Sequence, residues 1–117
     1  MNMRTLDGDQ TLVRIFVGDS DQWRHQSFSR ALLERLRREG FAGATMIRGD
    51  AGFGASSTIH ALSVAESSPD LPILIEIVED DEHVEQLLAI LDEMLTGGAL
   101  VTTQKVRVLK YAAGPKA

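Results

Sequence analysis

The residues of this 117-residue chain that could hold a small ligand lie in two glycine-rich segments. The longer segment, residues 48–57, contains Gly49, Gly52 and Gly54 beside the aromatic Phe53. Glycine permits positive φ angles and lets backbone N–H groups approach a ligand closely, so this composition is typical of a loop that cradles an anion. No P-loop lysine follows, which excludes that class of nucleotide site. A flexible flap without a ligand explains the composition equally well.

The second segment is Gly97, Gly98 and Ala99, between a predicted helix and a predicted strand. Glycines at that position either form a ligand-binding loop or simply end the helix. The local pattern favours the helix end, because paired glycines directly after an amphipathic stretch are a common stop signal.

The ionisable side chains show no catalytic or metal-binding pattern. His25, His60 and His83 lack metal-ligand spacing, and the chain has no cysteine, so disulfides, thiolate metal sites and thiol nucleophiles are excluded. No serine has an activating histidine–acid arrangement, and no carboxylate pair forms an acid–base dyad. The acidic run at residues 80–82 is interpreted as a helix cap. We expect no catalytic or metal site, with His60 either a structural residue or a ligand contact.

Composition limits the protein class. The length suits one domain, residues 1–117, with flexible ends at residues 1–10 and 114–117. A net charge of -5 argues against sequence-independent nucleic-acid binding. No apolar run approaches the roughly 20 residues of a membrane helix, and the N-terminus does not resemble a signal peptide. A cytoplasmic domain is therefore expected.

The spacing of apolar residues predicts four strands and two helices. Strands are predicted at residues 11–18, 42–48, 71–78 and 105–111. The first helix starts near Phe28 and ends at Gly40, and the second, capped by Asp80 or Asp81, continues through residues 84–95. The order βαββαβ predicts an α+β ferredoxin-like sandwich: a four-stranded antiparallel sheet with two helices on one face.

Alternation along the strands predicts which side chains lie on the sheet face that the helices leave bare. The residues predicted to face the helices are Val13, Ile15, Val17, Ile73, Ile75, Ile77, Val106 and Val108. Those on the bare face are Leu12, Arg14, Phe16, Leu74, Glu76, Val78, Arg107, Leu109 and Tyr111. This face is too apolar for water, so we expect it to pack against copies of the chain, with its charged residues pairing across strands. The alternative is that the tails or the long connection at residues 49–70 cover it.

Several separated motifs resemble the signature of a PII-like family known as domain of unknown function 190. They are residues 43–49 (GATMIRG), 52–57 (GFGASS) with Ile59 and His60, 70–73 (DLPI), 75–78 (IEIV) and 97–102 (GGALVT). The resemblance extends from about Leu12 to Tyr111 and is carried by the order of the motifs.

That family is similar to the trimeric nitrogen-regulatory PII proteins, which hold an adenine nucleotide between neighbouring subunits. The resemblance implies that a T-loop base and a glycine-bearing B-loop form the ligand site. The implied ligand-binding residues are Thr45, Arg48, Gly49, Gly52, Phe53, Gly54, Gly97, Gly98, Ala99 and Arg107, and His60 is a further candidate contact on its own chemistry. Two departures weaken phosphate binding: Ala99 stands where PII proteins carry a lysine, and Arg107 stands where they commonly present an arginine pair, although Lys110 is close.

Together these features predict a non-enzymatic PII-like signalling module. We expect a homo-oligomer, a trimer, that binds a small effector at its inter-subunit clefts and switches its long loop to control a partner protein. An adenine nucleotide or another small phosphorylated effector is the candidate ligand. The alternatives are a ligand-free oligomeric scaffold, and an enzyme that uses the same cleft with His60 and Arg48. The sequence identifies neither the effector nor the partner.

Overall fold

The computed structural model describes residues 5–62 and 70–113. Its elements, in chain order, are β1 (Gly8–Gly18), β2 (Gln22–Trp23), β3 (Gln26–Ser27), α1 (Phe28–Arg38), β4 (Thr45–Arg48), β5 (Ala51–Gly52), β6 (His60–Ala61), β7 (Pro72–Glu79), α2 (Asp81–Met94) and β8 (Leu100–Val108). The main sheet has the order β4-β7-β1-β8, and every neighbouring pair is antiparallel. The predicted ferredoxin-like fold is confirmed.

The core lies between the two helices and one face of the sheet. Alternate residues of the central strands are buried there, with Val13, Ile15 and Ile75 fully inaccessible to solvent. The helices contribute Phe28, Leu32, Leu36, Leu87, Ile90, Leu91 and Met94. Each such side chain contributes about 1.5–3 kcal/mol when fully buried, so this layer dominates the stability of the fold.

Both helices have well-formed caps. The Ser27 hydroxyl accepts a hydrogen bond from the Arg30 N–H at 3.4 Å, and Asp80 Oδ1 accepts one from the His83 N–H at 2.8 Å. Helix α1 is terminated by Gly40, whose φ of 81° is left-handed, while the Phe41 N–H donates to the Leu36 carbonyl. This is a Schellman motif, so the predicted C-terminal glycine and the Asp80 cap are both correct.

The last strand differs from its prediction in bounds and in face. β8 spans Leu100–Val108, with Val106 opposite Gln10 and Arg107 opposite Asp9. Val106 and Val108 therefore lie on the bare face, and Arg107 lies on the helix side, the reverse of the predicted arrangement. Residues 102–105 are polar on both faces, so the local sequence does not specify which alternate side chains of β8 face the helices. A one-residue error then moves every side chain to the other face.

Two other boundaries differ from their predictions. β1 begins at Gly8, so residues 8–10 of the predicted flexible end belong to a paired strand. β4 begins at Thr45 rather than at residue 42, because the Ala42 N–H donates to the buried Glu79 carboxylate at 2.6 Å instead of joining the ladder. Residues 1–4 and 114–117 of the predicted ends lie outside the described residues. In the described part of the chain, neither helix is long and apolar enough to cross a membrane.

Candidate functional site

Four segments lie at the same end of the main sheet. Gly18, the last residue of β1, is opposite Pro72 at the start of β7, and Arg48 at the end of β4 is opposite Ile73. The start of β8 lies at the same end of the sheet, beside β1, because Leu100 pairs with Phe16. We call this region the loop end, formed by residues 18–22, 48–54, 70–72 and 96–99. The structure therefore places the two predicted site segments at the same end of the sheet but on opposite edge strands, about 14 Å apart across β7 and β1.

Arg48 is the cationic residue of the predicted T-loop base, and it has an ionic partner. Its Nη2 lies 3.1 Å from Asp19 Oδ1, and both side chains are partly exposed. The Asp19 N–H donates to the Leu71 carbonyl at 2.8 Å, which ties the turn after β1 to the start of β7. Thr45, by contrast, is at the far end of β4, opposite Glu76, and takes no part in the loop end.

Close packing against Pro72 explains two glycines of the longer segment. The Gly49 N–H donates to the Pro72 carbonyl at 2.8 Å, and a Cβ on Gly49 would be only 2.9 Å from Pro72 Cγ. A Cβ on Gly52 would be 3.1 Å from the same atom, whereas Gly54 has open space around it. None of the three has a positive φ. The expected left-handed backbone is therefore absent from these three glycines.

Part of the long connection folds back on itself as a two-stranded ladder. Gly52 of β5 pairs with His60 of β6, and the Leu62 N–H donates to the Asp50 carbonyl at 2.7 Å. His60 thus lies beside Gly52 of the predicted T-loop base. The large apolar side chains Phe53, Ile59 and Leu62 are exposed in this part of the long connection. Residues 63–69 of the connection lie outside the described part of the chain.

The Gly97–Gly98 pair does not cap α2. The helix ends at Met94, Leu95 is extended, and neither glycine has a left-handed φ, so the helix-end interpretation of this segment is wrong. Instead both glycines border a small cavity of about 70 Å³, whose other walls are Asp21, Gln22, Phe28, Leu95 and Thr96. Ligand pockets usually measure about 300–1,000 Å³, so one chain does not enclose a nucleotide here.

The remaining predicted residues are distributed differently. Ala99 is exposed and directly precedes β8, at the loop end. Arg107 is opposite Asp9, nine residues along β1 from Gly18, which corresponds to about 30 Å of strand. Within one chain the structure therefore separates Arg107 from the other site residues.

Sequence reasoning missed a hairpin and the acidic turn that supports it. β2 and β3 form the hairpin, and Arg24 and His25 at its tip have φ angles of 50° and 65°. The Arg24 guanidinium lies 4.5 Å from the centre of the Trp23 ring, which packs on the core. The only sequence signal was the polar, aspartate-containing stretch that starts at Asp19, which is typical of turns in general.

A second, larger cavity lies on the bare face, away from the loop end. It measures about 240 Å³ and is lined by Leu6, Leu12, residues 42–45, Glu76, Val78 and Tyr111. The Tyr111 hydroxyl donates to the Ala42 carbonyl at 2.6 Å, and Leu6 is buried, so both terminal segments cover this part of the face. Arg14 and Glu76 form the predicted cross-strand ion pair at 2.8 Å, but Arg107 does not join them.

Glu79, Asp80 and His83 form a compact group whose ligand atoms lie within 4.8 Å of one another. Hydrogen bonds explain the arrangement without a metal. Asp80 Oδ1 caps α2 and lies 2.8 Å from His83 Nδ1, while Glu79 accepts from the Ala42 N–H. The group therefore anchors the start of α2 and the loop before β4.

The solved structures that resemble this chain share the PII-like fold. The protein CPII of Thiomonas intermedia K12, solved with ADP and bicarbonate, matches with a TM-score of 0.62 at 20% identity, over 87% of this chain and 90% of that chain. A putative PII-like signaling protein of Thermus thermophilus matches with a TM-score of 0.62 at 19% identity, over 88% and 93%. GlnK of B. subtilis, solved with ATP, matches with a TM-score of 0.55 at 18% identity, over 86% and 84%.

The chain belongs to the DUF190 family, described as "Uncharacterized ACR", whose model matches residues 10–108. A UPF0166 protein of Aquifex aeolicus is 30% identical over 98 residues, which is 84% of this chain and 91% of the relative. A UPF0166 protein of Methanocaldococcus jannaschii is 25% identical over 99 residues, 85% of this chain and 91% of the relative. The family predicted from the sequence motifs is thereby confirmed.

Proposed function

We propose that this protein is a PII-like regulatory module that binds a small anionic effector at the loop end, between neighbouring copies of the chain. The observation that carries this proposal is that residues 48–54 and residues 97–99 lie at the same end of a PII-like sheet, on its two edge strands, where neighbouring copies could bring them together. An adenine nucleotide is the first candidate, since proteins of this fold have been solved with ADP and with ATP. The role is binding rather than catalysis.

A second copy is required to complete the site. The cavity beside Gly97 and Gly98 is too small for a nucleotide, and Arg107 is at the opposite end of β1. A neighbouring chain would supply both the missing wall and a second cation. The apolar bare face supports such an assembly, which we propose to be a trimer.

The charges at the loop end favour a ligand with few phosphates. Arg48 is the arginine of the segment, and Ala99 offers no charge where a lysine would meet phosphate. Phosphate recognition relies on charge-assisted hydrogen bonds, so each missing cation reduces the affinity for a triphosphate more than for a monophosphate. We expect a mono- or diphosphate to bind better than a triphosphate.

Effector binding would act on the long connection. A ligand that contacts Arg48 and Gly52 would brace the β5–β6 ladder at its base and order the segment beyond it. Phe53, Ile59 and Leu62 are exposed in the part of the long connection that carries β5 and β6, and they offer apolar area for a partner protein. In this proposal the effector determines whether that surface is presented.

Thermal unfolding with a panel of adenine and guanine nucleotides, cyclic nucleotides and small anions tests the proposal. A ligand at 100 times its Kd stabilises the folded state by about 2.7 kcal/mol, several degrees in Tm for a protein of this size. We expect a shift with one ligand class that Arg48→Ala abolishes. Arg37→Ala, which removes an exposed arginine from α1, should leave the shift intact. An equal shift in both variants, or no shift with any ligand, would contradict the proposal.

A ligand-free oligomeric scaffold is the second candidate, favoured by the small loop-end cavity beside a large apolar face. In that case no ligand would shift the Tm, while the mass in solution would still exceed that of one chain. Measuring mass and Tm on the same sample separates the two functions.

A further inference from the structure

Arg48 forms an ion pair within the chain, with the carboxylate of Asp19. Its side chain is 54% exposed and its Nη2 lies 3.1 Å from Asp19 Oδ1. Both partners are held by backbone: Arg48 pairs with Ile73 in the sheet, and the Asp19 N–H donates to the Leu71 carbonyl. The ion pair is therefore pre-organised across two segments of the loop end.

The surroundings of this pair are acidic. Asp70 Oδ1 accepts the Ser20 N–H at 2.8 Å, and Asp21 Oδ2 accepts the Gly18 N–H at 3.0 Å. Three carboxylates thus lie around the turn at residues 18–21. An incoming anionic group would meet repulsion at this turn unless the carboxylate nearest to Arg48 moved away.

We propose that the Arg48–Asp19 ion pair is a latch that an anionic effector must open, with a phosphate or carboxylate group of the ligand replacing the Asp19 carboxylate on Arg48. Asp19 is then a specificity-determining residue, because it competes with the ligand for the same guanidinium. The pair is partly exposed, and ion pairs of that kind are weak enough for a well-placed phosphate to displace. The inference that a nucleotide opens the latch rests on the proposed function. The inference that a simple anion such as phosphate opens it does not.

Opening the latch would also affect the neighbouring hairpin. The turn that carries Asp19 continues to Asp21, whose carbonyl accepts the Phe28 N–H at the start of α1 at 2.9 Å. Arg24 and His25, in the hairpin between them, have left-handed backbones that persist only with support from their surroundings. Release of the turn would thus transmit ligand binding from Arg48 to the β2–β3 hairpin.

The test compares Asp19→Asn with Asp50→Asn. Both substitutions remove one negative charge beside the same segment, but Asp50 is not the partner of Arg48, so it controls for a general charge effect. Inorganic phosphate and ADP are titrated separately and followed through the backbone amide resonances of Gly49 and of residue 19. We expect Asp19→Asn to lower the Kd for phosphate about three- to tenfold, as removal of a weak competitor and its repulsion allows. Asp50→Asn should change it by less than about twofold.

Each outcome distinguishes the two proposals. Tighter phosphate binding by Asp19→Asn with no ADP binding by any variant would support the latch and contradict the nucleotide proposal. ADP binding that Asp19→Asn leaves unchanged or weakens would overturn the latch and keep the proposed function. Equal gains in Asp19→Asn and Asp50→Asn, or no phosphate binding by Asp19→Asn, would also overturn the latch. Urea unfolding of both variants shows that they are folded under the conditions of the titration.

Discussion

Glu79, at the end of β7, is a fully buried carboxylate that positions the strand carrying Arg48. Its Oε2 accepts the Ala42 N–H at 2.6 Å and its Oε1 accepts the Asp80 N–H at 3.3 Å. A buried charge is tolerated only when hydrogen bonds replace its hydration. These bonds fix the loop between α1 and β4, and thereby the approach of β4 to the loop end.

Glu79→Ala should destabilise the fold. It leaves the Ala42 N–H without its acceptor, so we expect the free energy of unfolding to fall by about 2 kcal/mol. Glu82→Ala, an exposed change in the first turn of α2, should cost less than about 1 kcal/mol. Urea unfolding measures both. Equal losses in the two variants would show that the Glu79 contacts add nothing specific.

Gly49 and Gly54 should respond differently to alanine, although both lie in the same glycine-rich segment. A methyl group on Gly49 would meet the ring of Pro72, which cannot rotate away, so we expect a loss of about 1–3 kcal/mol in unfolding free energy. Gly54 has an ordinary φ and open space, so Gly54→Ala should be neutral or stabilise by about 0.5 kcal/mol. Urea midpoints compare the two, and a larger loss for Gly54→Ala would contradict the packing explanation.

At the scale of elements, Arg35 joins the two helices. Its two Nη atoms contact the Glu93 carboxylate at 2.9 and 3.2 Å, and its Nε contacts Glu39, which also accepts from Gln86 at 2.7 Å. Hydrogen bonds from Arg35 hold the pKa of Glu93 and of Glu39 below their usual value. The same contacts raise the pKa of Arg35.

The helix-joining contacts of Arg35 should make stability depend on pH in the acid range. Because the two carboxyl pKa values are depressed in the folded state, their contribution is complete above the unfolded value of about 4.5 and is lost as the pH falls through the folded values. We therefore expect the gap in urea midpoint between the wild type and Arg35→Met to be largest near neutral pH and to shrink below about pH 4.5. Arg37→Met, which breaks a pair within α1 alone, should give a smaller gap. A gap independent of pH would show that lost packing, rather than charge, explains the Arg35→Met effect.

Elements with a clean apolar period were predictable from the sequence, and elements defined by long-range pairing were not. Buried apolar residues recur at every second position in β1 and β7 and at helical spacing in both helices, because one face of each element packs on the core. β8 is an edge strand with polar residues on both faces, and only its pairing with β1 determines which of its side chains face the helices. The β2–β3 hairpin was missed because Arg24 and His25, rather than glycine or asparagine, occupy its left-handed positions.

The candidate site was predictable as segments but not as contacts. The glycine-rich motifs single out residues 48–54 and 97–99, and the sheet order places these segments at the same end of the sheet on opposite edges. Three aspartates, at positions 19, 21 and 70, surround the turn, and nothing local in the sequence distinguishes the one that pairs with Arg48. The separation of Arg107 from the loop end depends on where β8 begins, and that strand starts at Leu100 rather than at the predicted residue 105.

At the scale of the whole molecule, the bare face of the sheet remains to be covered. Its apolar residues on the strands of the main sheet are Leu12, Phe16, Ile47, Leu74, Val78, Leu100, Val106 and Val108. Leu6 and Tyr111 cover only the end of this face near Ala42. Phe16 and Leu100, paired at the other end, are 39% and 58% exposed. Apolar area of this extent beside the loop end favours an interface between copies.

Phe16→Glu should therefore separate the copies without unfolding the chain. The side chain is outside the core, so the far-ultraviolet circular dichroism should persist while sedimentation shifts from a multiple of 12.8 kDa to one chain. Leu88→Glu places the same charge on an exposed position of α2, on the other side of the molecule, and should keep the wild-type mass. If the loop end needs a neighbour, Phe16→Glu should also lose any ligand-induced rise in Tm. A monomeric wild type, or an unchanged mass in Phe16→Glu, would contradict this interface. Ligand binding by a monomeric wild type would further mean that one chain suffices for the site.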